Sequence, residues 1–239
     1  MMTCRLITRA GRVLLAAGLL AMGGCGLLTS GEITPTTAIS DLEFPPADTQ
    51  ELTDQHFVMN WLLLGPFTFG PEDFGGAQQQ AAADKEFMPD EACLNGTQTP
   101  PAPIAWAESQ QIFTSPNGDG RVVLDKVYRN TDHAAVYAVA WVNCPHEIAD
   151  AKLLVGSDDY LTVWVNGEMV FSYNVRRRVG APDQDLIERI TLKKGYNRIV
   201  VKCVDVIRGW NFYLRLTDKD FKAIPVKPRP AAPCQSGES

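Results

Sequence analysis

Asp158 and Asp159 are adjacent carboxylates that follow Gly156-Ser157 and precede the apolar and aromatic run Tyr160 to Val165. Two negative charges at one turn repel each other, so donors or a cation must offset them. Two readings stand. The pair shares a hard cation with backbone carbonyls, the all-oxygen setting that calcium prefers, or it accepts hydrogen bonds from the N–H groups of its own turn. Elsewhere, Asn117-Gly118-Asp119-Gly120 lacks the spaced ligands and closing Glu of an EF-hand loop and reads as a hairpin turn. Cys144-Pro145-His146, with His133 upstream, lacks the paired spacing of a zinc site. The histidines are His56, His133 and His146, and there is no Gly-x-Ser-x-Gly or His-Glu-x-x-His. Neither a serine nucleophile with its base nor a zincin site assembles from these parts. The chain therefore reads as non-catalytic. A glycosidase-like carboxylate pair is the enzymatic alternative, because its separation is a three-dimensional quantity.

The N-terminal segment determines where such chemistry would take place. Arg5, Arg9 and Arg12 form a positive n-region, and Val13 to Met22 is an apolar stretch too short to span a bilayer. Leu19-Leu20-Ala21-Met22-Gly23-Gly24-Cys25 resembles a bacterial lipoprotein processing site. That resemblance implies a signal peptide over residues 1–24, lipidation of Cys25 and a cell-envelope location. Gly26 stands where an Asp would imply inner-membrane retention, so the outer membrane is the expected site. Export places the remaining cysteines in an oxidising compartment. Cys93, Cys144, Cys203 and Cys234 allow three pairings. Cys203 shares the parity of Ile199 and Val201 and is expected as a buried thiol. Cys93 and Cys144 lie in loop-like sequence and are the expected bridge.

The chain has 239 residues and a formal charge of −6. Removing residues 1–24 takes three arginines and no acid, which makes the mature charge −9. That balance argues against nucleic acid, and it assigns membrane association to acyl chains rather than to a basic patch. The one basic cluster, Arg176-Arg177-Arg178, reads as an exposed loop or an anion contact.

Residues 25–52 are rich in Thr, Ser, Pro and acids, a composition that solvates better than it packs, and are expected to form a disordered tether. About 25 flexible residues reach roughly 25–30 Å. Residues 222–239 carry a Pro-rich run that lacks strand donors and are expected to form a disordered tail. The single folded domain is thus expected over 53–221.

Within it the signals are those of strands. Phe57 to Leu64 is expected to end at Gly65-Pro66, and Val136 to Val142 to end before Cys144-Pro145. Leu161 to Val165 and Glu168 to Phe171 flank Asn166-Gly167, a type I′ hairpin signal. Ile187 to Leu192 and Asn197 to Val206 flank Lys193-Lys194-Gly195 and read as a second hairpin. Trp210, Phe212, Leu214 and Leu216 alternate along a closing strand. Gln78 to Lys85 fits a short helix in an otherwise long surface connection over 70–110. Many short strands without a helical period predict an all-β, antiparallel jelly-roll β-sandwich.

Taken in order, Asn60-Trp61-Leu62-Leu63-Leu64-Gly65-Pro66-Phe67, Gly156-Ser157-Asp158-Asp159-Tyr160, Val163-Trp164-Val165-Asn166-Gly167, Leu192-Lys193-Lys194-Gly195-Tyr196-Asn197 and Trp210-Asn211-Phe212 resemble the galactose-binding-domain-like jelly-roll modules of exported bacterial proteins. The likeness spans about residues 56–218. It implies a carbohydrate-binding role, with a structural or protein-interaction scaffold of the envelope as the alternative, so the expected partners are a glycan or an envelope protein. Asp158-Asp159 also resembles the paired-Asp site of flocculin-type adhesin domains. That resemblance implies calcium between the carboxylates and sugar hydroxyls upon it.

Overall fold

The computed structural model describes residues 56–70, 80–108, 120–129 and 131–225. The expected signal peptide and tether lie outside the described residues, as does most of the Asn117 turn; of the tail expected to be disordered from residue 222, residues 222–225 are instead packed, with Ala223 bridging to Thr217 and Ile224 buried in the core between the sheets. Among the described residues, ten strands form two antiparallel sheets. The first has the order β2 (Ala105–Glu108), β1 (Leu62–Thr68), β4 (Ala134–Cys144), β9 (Gly195–Asp205), β6 (Tyr160–Val165), β7 (Glu168–Tyr173). The second has the order β3 (Val122–Val123), β10 (Asn211–Thr217), β5 (Ile148–Asp158), β8 (Asp185–Leu192). From β4 onward the chain crosses repeatedly between the sheets in jelly-roll fashion, and the all-β expectation holds.

Side-chain parity sorts the core into two layers. Along β4, Ala134, Val136, Ala138, Ala140, Val142 and Cys144 point between the sheets, where they meet Leu153, Val155, Phe212 and Leu214. Ala135, Tyr137, Val139 and Trp141 point the other way. Covering this outer face is the connection before β2, which buries Ala82 and Ala83 of α1 (Ala81–Asp84) together with Met88 and Leu94. A sheet buried on both faces explains why its strands read as continuous apolar runs rather than alternating ones. The connection is pinned by charge as well. Lys202, 2% exposed, pairs with Glu91 at 3.0 Å, and the Tyr137 hydroxyl donates to Glu91 at 2.5 Å. Residues 80–104 thus form a second layer, not the surface connection expected from sequence.

Three further expectations are corrected. The run Phe57 to Leu64 is not one strand. Val58 N–H donates to the Leu214 carbonyl and Leu216 N–H to the His56 carbonyl, so residues 56–58 lie along β10, whereas β1 belongs to the other sheet. Moreover, β1 does not stop at Gly65-Pro66. Its pairing with β4 slips between Leu64 and Phe67, and this irregularity accommodates a proline that has no N–H to donate. The Lys193-Lys194-Gly195 turn does not close a hairpin either. β8 pairs with β5 and β9 pairs with β4 and β6, so this turn carries the chain from one sheet to the other. The Asn166-Gly167 hairpin is as expected: both residues have positive φ, 52° and 86°, and β6 pairs with β7.

The expected Cys93–Cys144 bridge is also corrected. Cys144 is a free thiol buried between the sheets. Cys93 closes a 3-10 turn (Glu91–Cys93) in the covering layer beyond the six-stranded sheet, and it is disulfide-bonded elsewhere. Opposite faces of one sheet separate the two. Cys203 is a free, fully buried thiol of the inter-sheet core, as its parity indicates. Among the described residues no helix is long and apolar enough to cross a membrane.

Candidate functional site: an acidic cluster at one end of the sandwich

The junction from β5 to β6 moves the chain between sheets within two residues, and those residues are Asp158 and Asp159, joined by a cis peptide bond. Asp158 ends β5 opposite Asn211 of β10, and Asp159 N–H donates to the Val204 carbonyl of β9. Topology therefore brings the pair against the end of β9. The last residue of that strand, Asp205, has the inward parity of Ile199, Val201 and Cys203. Among the described residues, Asp158, Asp159 and Asp205 are the grouping of three metal-ligating side chains, each offering an oxygen within 4.8 Å of the others. All three are buried, with exposures of 8%, 1% and 0%.

Their partners differ. Asp159 Oδ2 accepts from Val206 N–H at 3.1 Å and from Arg177 Nε at 2.8 Å. Asp158 accepts from the Gly180 N–H. Neither oxygen of Asp205 has a hydrogen-bond partner. A buried carboxylate without donors is held as the neutral acid or met by a cation. Accordingly, burial and then the charge of Asp159 push the Asp205 carboxyl up to about 8, with Asp132, Asp125 and Asp158 adding to the effect. Burial first and Asp159 second push Asp158 up to about 6. Nearby, the buried Asn211 Oδ1 also has no donor.

Two loops close over the cluster. Residues 206–210, between β9 and β10, supply the Val206 N–H. Residues 174–184, between β7 and β8, supply Arg177, Arg178 and Gly180. Arg178 donates to Ser157 Oγ at 3.0 Å, pairs with Asp185 at 2.6 Å and stacks on the Tyr173 ring at 3.7 Å. The arginine cluster lies in a loop between strands, as expected, with Arg176 exposed, but Arg177 and Arg178 pair with Asp159 and Asp185 of this chain. Close approach of the loops needs glycine. A Cβ on Gly209 would lie 2.9 Å from Asp158 Oδ2, and one on Gly180 would lie 2.3 Å from Asn211 Oδ1.

The sequence-predicted pair is therefore at a real constellation, and Asp205, Arg177 and Asn211 are the members missed. One signal was present for Asp205: a charged residue on the core parity of a strand otherwise filled by Ile199, Val201 and Cys203. By contrast, Arg177 comes from an irregular loop whose register no periodicity reports. Cys144 and His133 do not meet. His133 packs edge-on against Phe69, 5.8 Å between ring centres, while Cys144 faces the core. A groove of about 480 Å³, lined by Val165, Met169, Val170, Ile187 and Ile190 among others, opens at the opposite end of β6 and does not join the aspartates.

The donor set fits a hard divalent cation. It is all oxygen, it is negative, and it contains a buried carboxylate with both oxygens available. Asp158, Asp159 and Asp205 would hold such an ion.

No protein-family model and no curated protein matches this chain. Similar solved structures include a PA14 sugar-binding domain from an RTX adhesin, at 18% identity and TM-score 0.40, covering 70% of this chain and 94% of that one. A PA14 domain of the MpAFP antifreeze protein is similar at 12% identity and TM-score 0.32, over 72% and 71% of the two chains. A Ruminococcus gnavus β-glucuronidase is similar at 15% identity and TM-score 0.31 over 61% of this chain, which spans only 20% of the enzyme. At these scores the likenesses assign neither a family nor a ligand.

Proposed function

We propose that this protein is a lipid-anchored envelope protein that displays a non-catalytic β-sandwich, and that the sandwich end binds calcium and, through it, the hydroxyl groups of a carbohydrate. The observation that carries the cation reading is Asp205, fully buried with two unpartnered oxygens beside Asp158 and Asp159. Calcium takes six to eight oxygens. Three carboxylates leave positions that water or vicinal sugar hydroxyls fill, and this favours a hydroxyl-rich ligand. The non-catalytic reading is supported by the burial of all three carboxylates, 8%, 1% and 0% exposed, since a glycosidase pair must flank the scissile bond of a bound substrate. The anchor and the envelope location rest on the lipobox-like residues ending at Cys25, and the outer membrane on Gly26 after it.

A glycan array probed with the full-length protein, with and without calcium, tests this reading. Calcium-dependent spots that Asp158→Asn and Asp159→Asn each abolish are expected. Calcium should also raise the melting temperature of the wild type, because a ligand at 100 times its Kd stabilises the folded state by about 2.7 kcal/mol. Equal shifts in the wild type and the Asp158→Asn/Asp159→Asn double variant would remove the site.

A further inference from the structure

The outermost charged group of the cluster is a cation. Arg177 has a side chain 34% exposed, against 1% for Asp159. Its guanidinium spans two oxygens: Nε donates to Asp159 Oδ2 at 2.8 Å, and Nη2 donates to the Ile207 carbonyl at 2.7 Å. A carboxylate and a backbone carbonyl are the ligand types a calcium ion would use. Asp205 and Asp158 act on the same guanidinium across space. Even so, Arg177 leaves both Asp205 oxygens unpartnered, and Asn211 Oδ1 beside Gly180 has no donor. One guanidinium thus answers only part of the demand for positive charge.

The loop that carries Arg177 does not depend on it for attachment. Its neighbour Arg178 is fixed to Ser157, Asp185 and Tyr173, and Gln184 ties the loop by donating to the Val179 carbonyl at 2.8 Å while accepting from Ser157 N–H at 3.0 Å. Arg177 can therefore withdraw into solvent while the backbone on either side stays in place.

Resting on the reading of Asp158, Asp159 and Asp205 as a calcium site, we propose that the Arg177 guanidinium is a built-in competitor, which occupies this site in the cation-free protein and withdraws when calcium binds. The competition sets the threshold of the site. If Arg177 is withdrawn in about one molecule in ten, the apparent affinity for calcium is about tenfold weaker than the intrinsic one. The device also couples the ion to the surface, since the displaced side chain uncovers the acids to an incoming ligand.

Calorimetric titration of calcium into the full-length protein tests this, on the wild type, Arg177→Gln, Arg177→Lys and Arg176→Gln. Arg176 is the exposed neighbour, so Arg176→Gln makes the same charge change without emptying the site. Arg177→Gln is expected to bind calcium about tenfold more tightly than wild type, and Arg176→Gln to stay within about twofold. Arg177→Lys keeps the charge but loses the planar fork that reaches two oxygens at once, so it falls between them. It also serves as the reporter should Arg177→Gln fail to fold without calcium. If wild type binds calcium and neither Arg177 variant binds more tightly, Arg177 is a fixed structural counter-ion and the proposal is overturned while the calcium reading survives. Equal tightening in Arg176→Gln overturns it as a general charge effect. If neither wild type nor the Arg177 variants bind at about 10 mM calcium, above the range of weak extracellular sites, the calcium reading itself fails and the competitor with it.

Discussion

Asp205 has no hydrogen-bond partner, and in the folded protein its carboxyl is pushed up to about 8, with Asp158 at about 6. In the unfolded chain both return to about 3.9. Between those limits the folded state binds more protons than the unfolded one, so stability falls as pH rises through the window. In chelator, the melting temperature should therefore drop between about pH 5 and pH 8, at roughly 2–4 °C per kcal/mol lost. Asp205→Asn should flatten most of that slope and raise the melting temperature at the alkaline end. A thermal melt series in chelator measures both, and an unchanged slope in the variant would show that Asp205 is not the titrating group. Calcium should oppose the alkaline loss in wild type only, because it binds the ionised carboxylates.

The outer face of the six-stranded sheet is covered by residues 80–104, and the joint is the buried Lys202 with Glu91. Removing one member of a buried pair leaves an uncompensated charge and costs about 3–5 kcal/mol. Glu91→Ala should show that loss in urea denaturation, whereas Glu91→Leu with Lys202→Met should recover much of it. Trp164, 3% exposed under the same layer and with Lys202 Nζ 5.6 Å from its ring centre, should lose about 3–5 kcal/mol as Trp164→Ala. A loss below about 1 kcal/mol would mean that the layer is absent in solution and Trp164 is open to ligand. Strand parity was legible in β9 and β10 because a single residue step flips the side chain from one face to the other, whereas β4 is apolar on both faces and reads as one continuous run. What parity does not report is which of two buried faces meets the partner sheet and which meets a covering segment.

At the scale of the whole molecule, the sandwich has its core between the sheets and a second layer outside one of them, and both are built from residues 56–225. Limited proteolysis of the purified protein should trim residues 25–52 and the tail beyond the buried Ile224, and stop at a fragment near 53–225. A stable fragment ending before Trp210 would contradict a fold in which β10 sits inside its sheet between β3 and β5. Export should depend on the N-terminal segment, and Cys25→Ser should abolish incorporation of labelled fatty acid. Continued labelling in that variant would refute the lipid anchor.

Local chemistry decided part of this protein without any tertiary information. Asn166-Gly167 specifies its hairpin because two consecutive positive φ values suit few other pairs, and alternation along Trp210 to Leu216 specifies a strand with its core face. The all-β class follows from many such short signals. The Asp158-Asp159 pair was visible for the same reason, as adjacent like charges at one turn need an explanation that neighbours in sequence do not supply. Tertiary structure decided the rest. Only the crossing of β5 into β6 brings Asp158 and Asp159 to the end of β9, where Asp205, 46 residues beyond Asp159, completes the cluster. Only the packing of loop 174–184 delivers Arg177 to that cluster. Only the packing of the covering segment on the outer face of the six-stranded sheet separates Cys93 from Cys144. Each is a distance between residues remote in the chain, set by which buried surfaces meet when the sheets close, and periodicity carries no record of it.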